Sequence, residues 1–255
     1  MFKNFKQDII EVNGVNINYK IGGKGEPLLL LHGYPQSHVL WRKIAPLFAE
    51  NYTVICSDLR GYGDSDKPQS DKKHLTYSKK TMGLDQNELM KKLGFKEYFL
   101  VGHDRGGRVA HRMAIDFKEN IKKISVLDIV PTSHVFKNTN AILAKRYYHW
   151  FFLIQSYPLP ETMIGNDPEY YIRSKLQMWG ANNEYLTEEI IQEYLRCFTT
   201  ETIQASCEDY RAGASIDLVH HEEDFDKKIS CPLQVLWGSK ATLEELYDPI
   251  KVWKE

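Results

Sequence analysis

Nothing in this chain reads as a membrane anchor. No apolar run approaches the roughly 18 residues that a spanning helix needs. The first residues, MFKNFKQDIIEV, lack the apolar core of a signal peptide. Cysteine is scarce: Cys56, Cys197, Cys207 and Cys231 make no close pair and no metal-like spacing, as reduced thiols of a cytoplasmic protein would. An excess of either charge is also missing. The 33 basic and 34 acidic residues leave a net charge of −1, so no basic field points to nucleic acid and no polybasic run to a membrane surface. Internal repeats and low-complexity segments are absent as well.

What is present is an alternation of strand-like and helix-like stretches. IIEV and VNINYKI flank Asn13-Gly14, the strongest short hairpin signal. PLLLLHG and YTVICSD are apolar runs suited to strands buried on both faces. EYFLVG, IKKISVLD and CPLQVLWG continue the series. Between these runs, the spacing predicts helices over 38–49, 81–93 and 105–117, and LRGYGDSDKPQ reads as a loop. After Pro131 the chain turns aromatic and helical, without a buried-strand run, until about residue 215. The expected architecture is α/β: a mostly parallel sheet with helices on both faces, interrupted by a helical cap. Its parts are a core over 1–132, a cap over 133–215 and the rest of the core over 216–255.

The stretch VGHDRGGRVAHRM, residues 101–113, joins a strand to a helix through a turn flanked by glycine. Such a turn lifts one side chain out of the fold, and here that side chain is Asp104. Gly102, Gly106 and Gly107 supply the small neighbours that a strained turn needs. The alternative is that Asp104 merely caps the helix, but a cap does not need glycines on both sides after an apolar strand. A carboxylate at this point suits attack on saturated carbon, forming an ester that water then cleaves.

LHGYPQSHVLW, DLRGYGDSDKP and GHDRGGRVAHRMA resemble the α/β-hydrolases that use an aspartate nucleophile. The arginine after the aspartate resembles the haloacetate (fluoroacetate) dehalogenases in particular. The resemblance runs from about residue 8 to the end of the chain. It implies hydrolytic dehalogenation of a short 2-haloacid, a small-molecule substrate, with no cofactor or metal. Arg105 and Arg108 lie one helical turn apart and would hold the substrate carboxylate. His149, Trp150 and Tyr210 would point N–H and O–H donors at the leaving halide. Tyr34, in HGYP, would line the pocket beside an oxyanion-hole N–H.

The resemblance also calls for an acid that orients a histidine base. After the seventh strand WGSKATLEE offers no aspartate in its first turn. After the sixth, VLDIVPT offers Asp128, which takes the role as in the resembling family. The histidine should follow an eighth strand, and none of the nine histidines occupies that place. The last strand and helix of the family are therefore expected to be lacking, from a truncated chain or a degenerate relative, which leaves strand seven as a bare sheet edge. The acidic and histidine-rich stretch His220-His221-Glu222-Glu223 reads as a solvated loop rather than a metal site. His103 and His111 are expected to pack or face solvent, and Asp58 and Arg60 to fix a loop. An epoxide hydrolase using Tyr147, Tyr148 or Tyr210 is the alternative enzyme, though an epoxide brings no carboxylate for Arg105. A non-catalytic binder of small carboxylates is the alternative outside enzymes. Association into a homodimer is left open.

Overall fold

The computed structural model describes residues 1–178 and 184–254. The seven strands are β1 (Lys6–Val12), β2 (Val15–Gly23), β3 (Glu26–Leu31), β4 (Tyr52–Ser57), β5 (Tyr98–His103), β6 (Ile121–Leu127) and β7 (Leu233–Leu236). They form one sheet in the order β1-β2-β4-β3-β5-β6-β7. The β1–β2–β4 pairings are antiparallel, and every pairing from β4 across to β7 is parallel. The Asn13-Gly14 hairpin forms as expected. Val12 pairs with Val15, and both turn residues take the positive φ of a type I′ turn, 46° and 74°.

The four leucines of β3 show why the sheet is covered twice. Leu29 and Leu31 pack with Ile55, Met82 and Val109 on one face; Leu28 and Leu30 pack with Trp41, Val54 and Cys56 on the other. Side chains alternate across a strand, so a continuous apolar run feeds both layers. Burying each leucine contributes about 1.5–3 kcal/mol.

On the core, α1 (Ala45–Phe48), α2 (Lys79–Lys92) and α3 (Arg105–Asp116) connect the strands. The predicted helix over 38–49 is broken: a 3-10 turn, His38–Lys43, precedes α1. Pro46 explains the break, because it has no N–H to continue a helix through that point. Helices fill the chain between β6 and β7: α4 (Thr132–Lys137), α5 (Ala141–Arg146), α6 (Tyr148–Leu153), α7 (Leu159–Asn166), α8 (Pro168–Met178), α9 (Glu188–Cys197), α10 (Thr200–Gly213) and α11 (Ile216–Glu223). α10 packs on α6 and α7. His220 and His221 lie in α11 and are half-buried, which corrects the expectation of a solvated loop. Their helix is held against α3 by Arg112, which pairs with Asp224 just beyond α11. α12 (Thr242–Leu246) and α13 (Pro249–Lys254) follow β7, which is an edge of the sheet. Among the described residues no helix is long and apolar enough to cross a membrane.

Candidate active site

Asp104 sits between β5 and α3 with φ 47° and ψ −116°, a conformation costing a non-glycine residue on the order of 1–3 kcal/mol. The surrounding packing holds it there. A Cβ at Gly102 would stand 2.4 Å from the Gly106 carbonyl oxygen, and one at Gly106 would stand 2.3 Å from that of His32. Only glycine permits this close approach. The Asp104 side chain makes no capping bond to α3, which removes the simple N-cap explanation. Its Oδ1 instead accepts the backbone N–H of Tyr34 at 2.9 Å.

The two arginines are buried but unequal. Arg105 donates from Nε and Nη2 to the two carboxylate oxygens of Asp209, at 2.9 and 2.6 Å, and from Nη2 to the Asp209 carbonyl at 2.7 Å. Its two-nitrogen edge is therefore taken, and only Nη1 is uncommitted among the described residues. Arg108 is arranged the other way. Its Nη1 donates to the Val130 carbonyl at 3.0 Å and to Thr132 Oγ1 at 2.9 Å, while buried Nε has no partner among the described residues. Its guanidinium lies 4.5 Å from the centre of the Trp150 ring. Burial, then the charge of Arg105, pushes the Arg108 pKa down to about 10, which leaves it a cation at neutral pH.

The structure brings His149, Trp150 and Tyr210 together under the cap. The Tyr210 ring centre lies 5.7 Å from His149 and 6.1 Å from Trp150. Tyr34 stacks on His149 at 6.2 Å and meets Tyr210 edge-on at 5.3 Å. The Tyr210 hydroxyl is buried and has no hydrogen-bond partner among the described residues. Burial, then the charge of Asp104, holds its pKa well above the usual phenol value. Burial, with Lys175 and Arg105 adding, holds His149 well below the usual imidazole range. Both side chains are thus neutral, and a neutral phenol is an O–H donor.

Asp128 follows β6 with φ 56°, and its N–H donates to the Leu236 carbonyl at 2.7 Å. Its Oδ1 is buried without a partner among the described residues, while the carboxylate accepts the Gly238 N–H. Burial, with Asp104 adding and His103 opposing, raises its pKa. His103 is the histidine whose charge Asp128 feels, yet no histidine among the described residues hydrogen-bonds it. His111 packs edge-on against Trp253 at 4.9 Å, and burial pushes its pKa down to about 3. Asp58 accepts from Asn18, from the N–H of His38 and from that of Asp64, and Arg60 forks onto Asp85 at 2.6 Å for each contact. Both fix loops, as expected. Among the described residues, Asp64, Glu193 and Cys197 could converge on a metal ion, but both carboxylates already pair with Arg196.

The sequence reading overlooked Asp209, Lys79 and Tyr62. Asp209 receives Tyr62 Oη at 2.6 Å and the Lys79 ammonium besides Arg105. One signal was available: a buried arginine requires a carboxylate. The partner lies 104 positions away, immediately before Tyr210, and no local pattern links the two.

The model of the alpha/beta hydrolase fold matches residues 26–249. The chain is 43% identical to the fluoroacetate dehalogenase of Burkholderia sp, over 99% of this chain and 84% of that one. It is 33% identical to the soluble epoxide hydrolase of Corynebacterium sp. (strain C12), over 92% and 81%. A solved structure from Nostoc sp PCC 7120, described only at the level of an alpha/beta hydrolase, superimposes with a TM-score of 0.98 at 52% identity, covering 100% of this chain and 88% of that one. The chain belongs to the α/β-hydrolase superfamily, and within it to the family of the haloacetate dehalogenases. It is a hydrolase-type chain with a dehalogenase relative.

Proposed function

We propose that this chain takes a short 2-haloacid such as chloroacetate or fluoroacetate. Asp104 Oδ2 attacks C2, the carbon–halogen bond breaks with its electron pair leaving on the halide, and an aspartyl ester forms. Arg108, with Nη1 of Arg105, holds the carboxylate. Neutral donors on His149, Trp150 and Tyr210 receive the charge that builds on the halogen, where donors aimed at the transition state have most effect. Water then adds to the ester carbonyl and glycolate leaves; Asp128 would orient the base for that step. One observation carries the reading. Two buried, unpartnered donors, Arg108 Nε and Tyr210 Oη, stand within electrostatic reach of Asp104. Unsatisfied buried donors cost about 1–3 kcal/mol each, so a fold that retains them beside a strained carboxylate is prepared for an anionic ligand.

An epoxide hydrolase is the second reading, since the Tyr210 hydroxyl could equally meet an epoxide oxygen and a relative carries that activity in its name. Purified protein incubated with fluoroacetate, chloroacetate and styrene oxide separates the readings. Free halide with an adduct on Asp104 supports the first and diol the second. Binding of a haloacid without either product would reduce the chain to a carboxylate binder.

A further inference from the structure

Asp209 lies directly behind the candidate carboxylate site and has no role in the proposed chemistry. It is fully buried, as are Arg105, Tyr62 and Lys79 around it. Its Oδ2 accepts from Arg105 Nε at 2.9 Å and Tyr62 Oη at 2.6 Å. Its Oδ1 accepts from Arg105 Nη2 at 2.6 Å and from the Lys79 ammonium. Four donors saturate one carboxylate, which accepts about four hydrogen bonds. Neither the carboxylate nor the Arg105 fork can then turn without breaking several bonds at once. Lys79 is shared with Asp217, whose Oδ2 lies 3.5 Å from its ammonium and whose Oδ1 accepts the Lys79 N–H at 2.8 Å.

We propose that Asp209 is the positioning residue of the carboxylate clamp: it fixes Arg105 so that one nitrogen, Nη1, is left to meet the substrate, while Arg108 supplies the paired contact. This rests on the haloacid reading and deepens it. Two cations, Arg105 and Lys79, face two anions, Asp209 and Asp217, so this cluster is close to neutral. The cation left for a substrate carboxylate is therefore Arg108, which hydrogen-bonds no carboxylate among the described residues and feels only the charge of Asp104 nearby. Arg105 contributes placement and Arg108 contributes charge. The same anchor serves the halide side. Asp209 precedes Tyr210 on α10, and the Arg105 guanidinium lies 4.2 Å from the Tyr210 ring centre. One ion pair between α3 and α10 thus sets the separation between carboxylate donor and halide donor. Removing Asp209 would leave Lys79 to Asp217, strip Arg105 of its carboxylate beside Arg108 in one dry region, and release Arg105 into several rotamers.

A purely architectural pair would affect all substrates alike, whereas a positioning residue would discriminate by head group. The test is single-turnover alkylation of Asp104, read by peptide mass, with chloroacetate and with its neutral analogue chloroacetamide. Limiting rate and half-saturating concentration are taken separately for wild type, Asp209→Asn and Tyr62→Phe. Asp209→Asn should raise the half-saturating concentration of chloroacetate roughly tenfold or more, the size of a lost charge-assisted contact. Chloroacetamide should keep its wild-type value. Tyr62→Phe preserves volume and fold and removes one donor from Oδ2, so it should shift the same ratio in the same direction by less. It decides the matter alone if Asp209→Asn does not fold. Equal loss for both substrates, or no change in the ratio in a folded variant, overturns the proposal. Titration with unreactive acetate and acetamide, followed by tryptophan emission, separates the two levels. If wild type forms no adduct yet binds acetate selectively, and the variants lose that selectivity, the clamp stands while the dehalogenase reading falls.

Discussion

The backbone N–H of Tyr34 donates to Asp104 Oδ1 at 2.9 Å, and this one bond makes the two oxygens of the carboxylate different. Oδ1 is held, and Oδ2 has no protein partner among the described residues. In the proposed reaction Oδ2 attacks carbon and Oδ1 becomes the ester carbonyl oxygen. The N–H that steadies the nucleophile in the first step is then already aimed at the oxyanion of the second. The positive φ of Asp104 turns the side chain toward the loop after β3, so backbone strain and nucleophile selection have a common origin.

Arg108 should prove the more sensitive of the two arginines in ligand binding. Arg108→Lys keeps the charge and loses the Nε–Nη2 edge, so chloroacetate or acetate binding should weaken by about 1.5–3 kcal/mol in calorimetry. Arg105→Ala should weaken the same binding by less, about tenfold as for Asp209→Asn, and should in addition leave Asp209 buried without its chief partner, at a cost of about 3–5 kcal/mol in denaturant unfolding. Identical behaviour of the two variants in both measurements would contradict the unequal assignment.

The halide donors should matter most for fluoride. Fluoride concentrates its charge and depends on donors, whereas bromide leaves readily. Tyr210→Phe removes an O–H that no other residue uses. Trp150→Phe removes an N–H and changes the ring against which Arg108 lies. The rate of Asp104 alkylation by fluoroacetate should fall about 10²–10³-fold in Tyr210→Phe, as for a lost oxyanion-hole donor. The fall with bromoacetate should be much smaller. Equal losses would assign the cluster to cap packing alone.

Asp128 and Asp209 should respond to pH in opposite senses. The pKa of Asp128 is raised, chiefly by burial. A carboxyl whose folded pKa exceeds its unfolded value subtracts stability once ionised, and that loss is relieved as pH falls through the folded value. Burial would raise Asp209 too, but Arg105 and Lys79 outweigh it and hold its carboxyl below the usual range. Its stabilising effect is present above the unfolded carboxylate value and is lost as pH falls through the folded one. At pH 7, Asp128→Asn should therefore raise the urea midpoint, with an unfolding free energy higher by on the order of 1 kcal/mol. That gain should shrink in mild acid. Asp209→Asn should lower the midpoint at pH 7, with the deficit narrowing in strong acid. The Gly238 N–H bonded to this carboxylate opposes the burial effect, so a destabilised Asp128→Asn at neutral pH would mean that this bond outweighs the cost of burial.

Much of the architecture was legible because it is written in local patterns. The Asn13-Gly14 turn, the two-faced leucine run of β3 and the glycine-flanked Asp104 each declare themselves within a dozen residues. The helix over 38–49 was misread because apolar spacing outweighed Pro46, whose missing N–H splits the segment. His220 and His221 were misread because polar residues in a helix packed through one ion pair look like a loop in one dimension. At the site, the positions of Arg105 and Arg108 followed from one helical turn, but their division of labour did not. That division depends on Asp209 and on the Val130–Thr132 segment, two separate parts of the chain. Hydrogen-bond partners chosen by tertiary packing leave no periodic trace.

Turnover depends on a base for the second step, and the structure makes a specific prediction about it. The proposed first step draws on groups that the structure describes, among them Asp104 with one free oxygen, Arg108 with one free edge, and the Tyr210 hydroxyl. The second step needs a histidine within hydrogen-bond reach of Asp128 and of the attacking water. All nine histidines are described, and Asp128 Oδ1 bonds to none of them. His149 lies against Tyr210, where the proposed reaction makes it a donor to the halide, and His111 lies against Trp253. The 255-residue chain should therefore release about one halide per site and then stall, because general-base help is typically worth about 10²–10⁴-fold. Intact mass after incubation with chloroacetate should show one carboxymethyl group, mapping to Asp104 and absent in Asp104→Asn. His103 is the one candidate for an unexpected base, since its charge bears on Asp128. Steady turnover that disappears in His103→Gln would assign it that role and replace the stalled-ester prediction. Steady turnover that survives His103→Gln would mean that water reaches the ester by a route that Asp128 does not control.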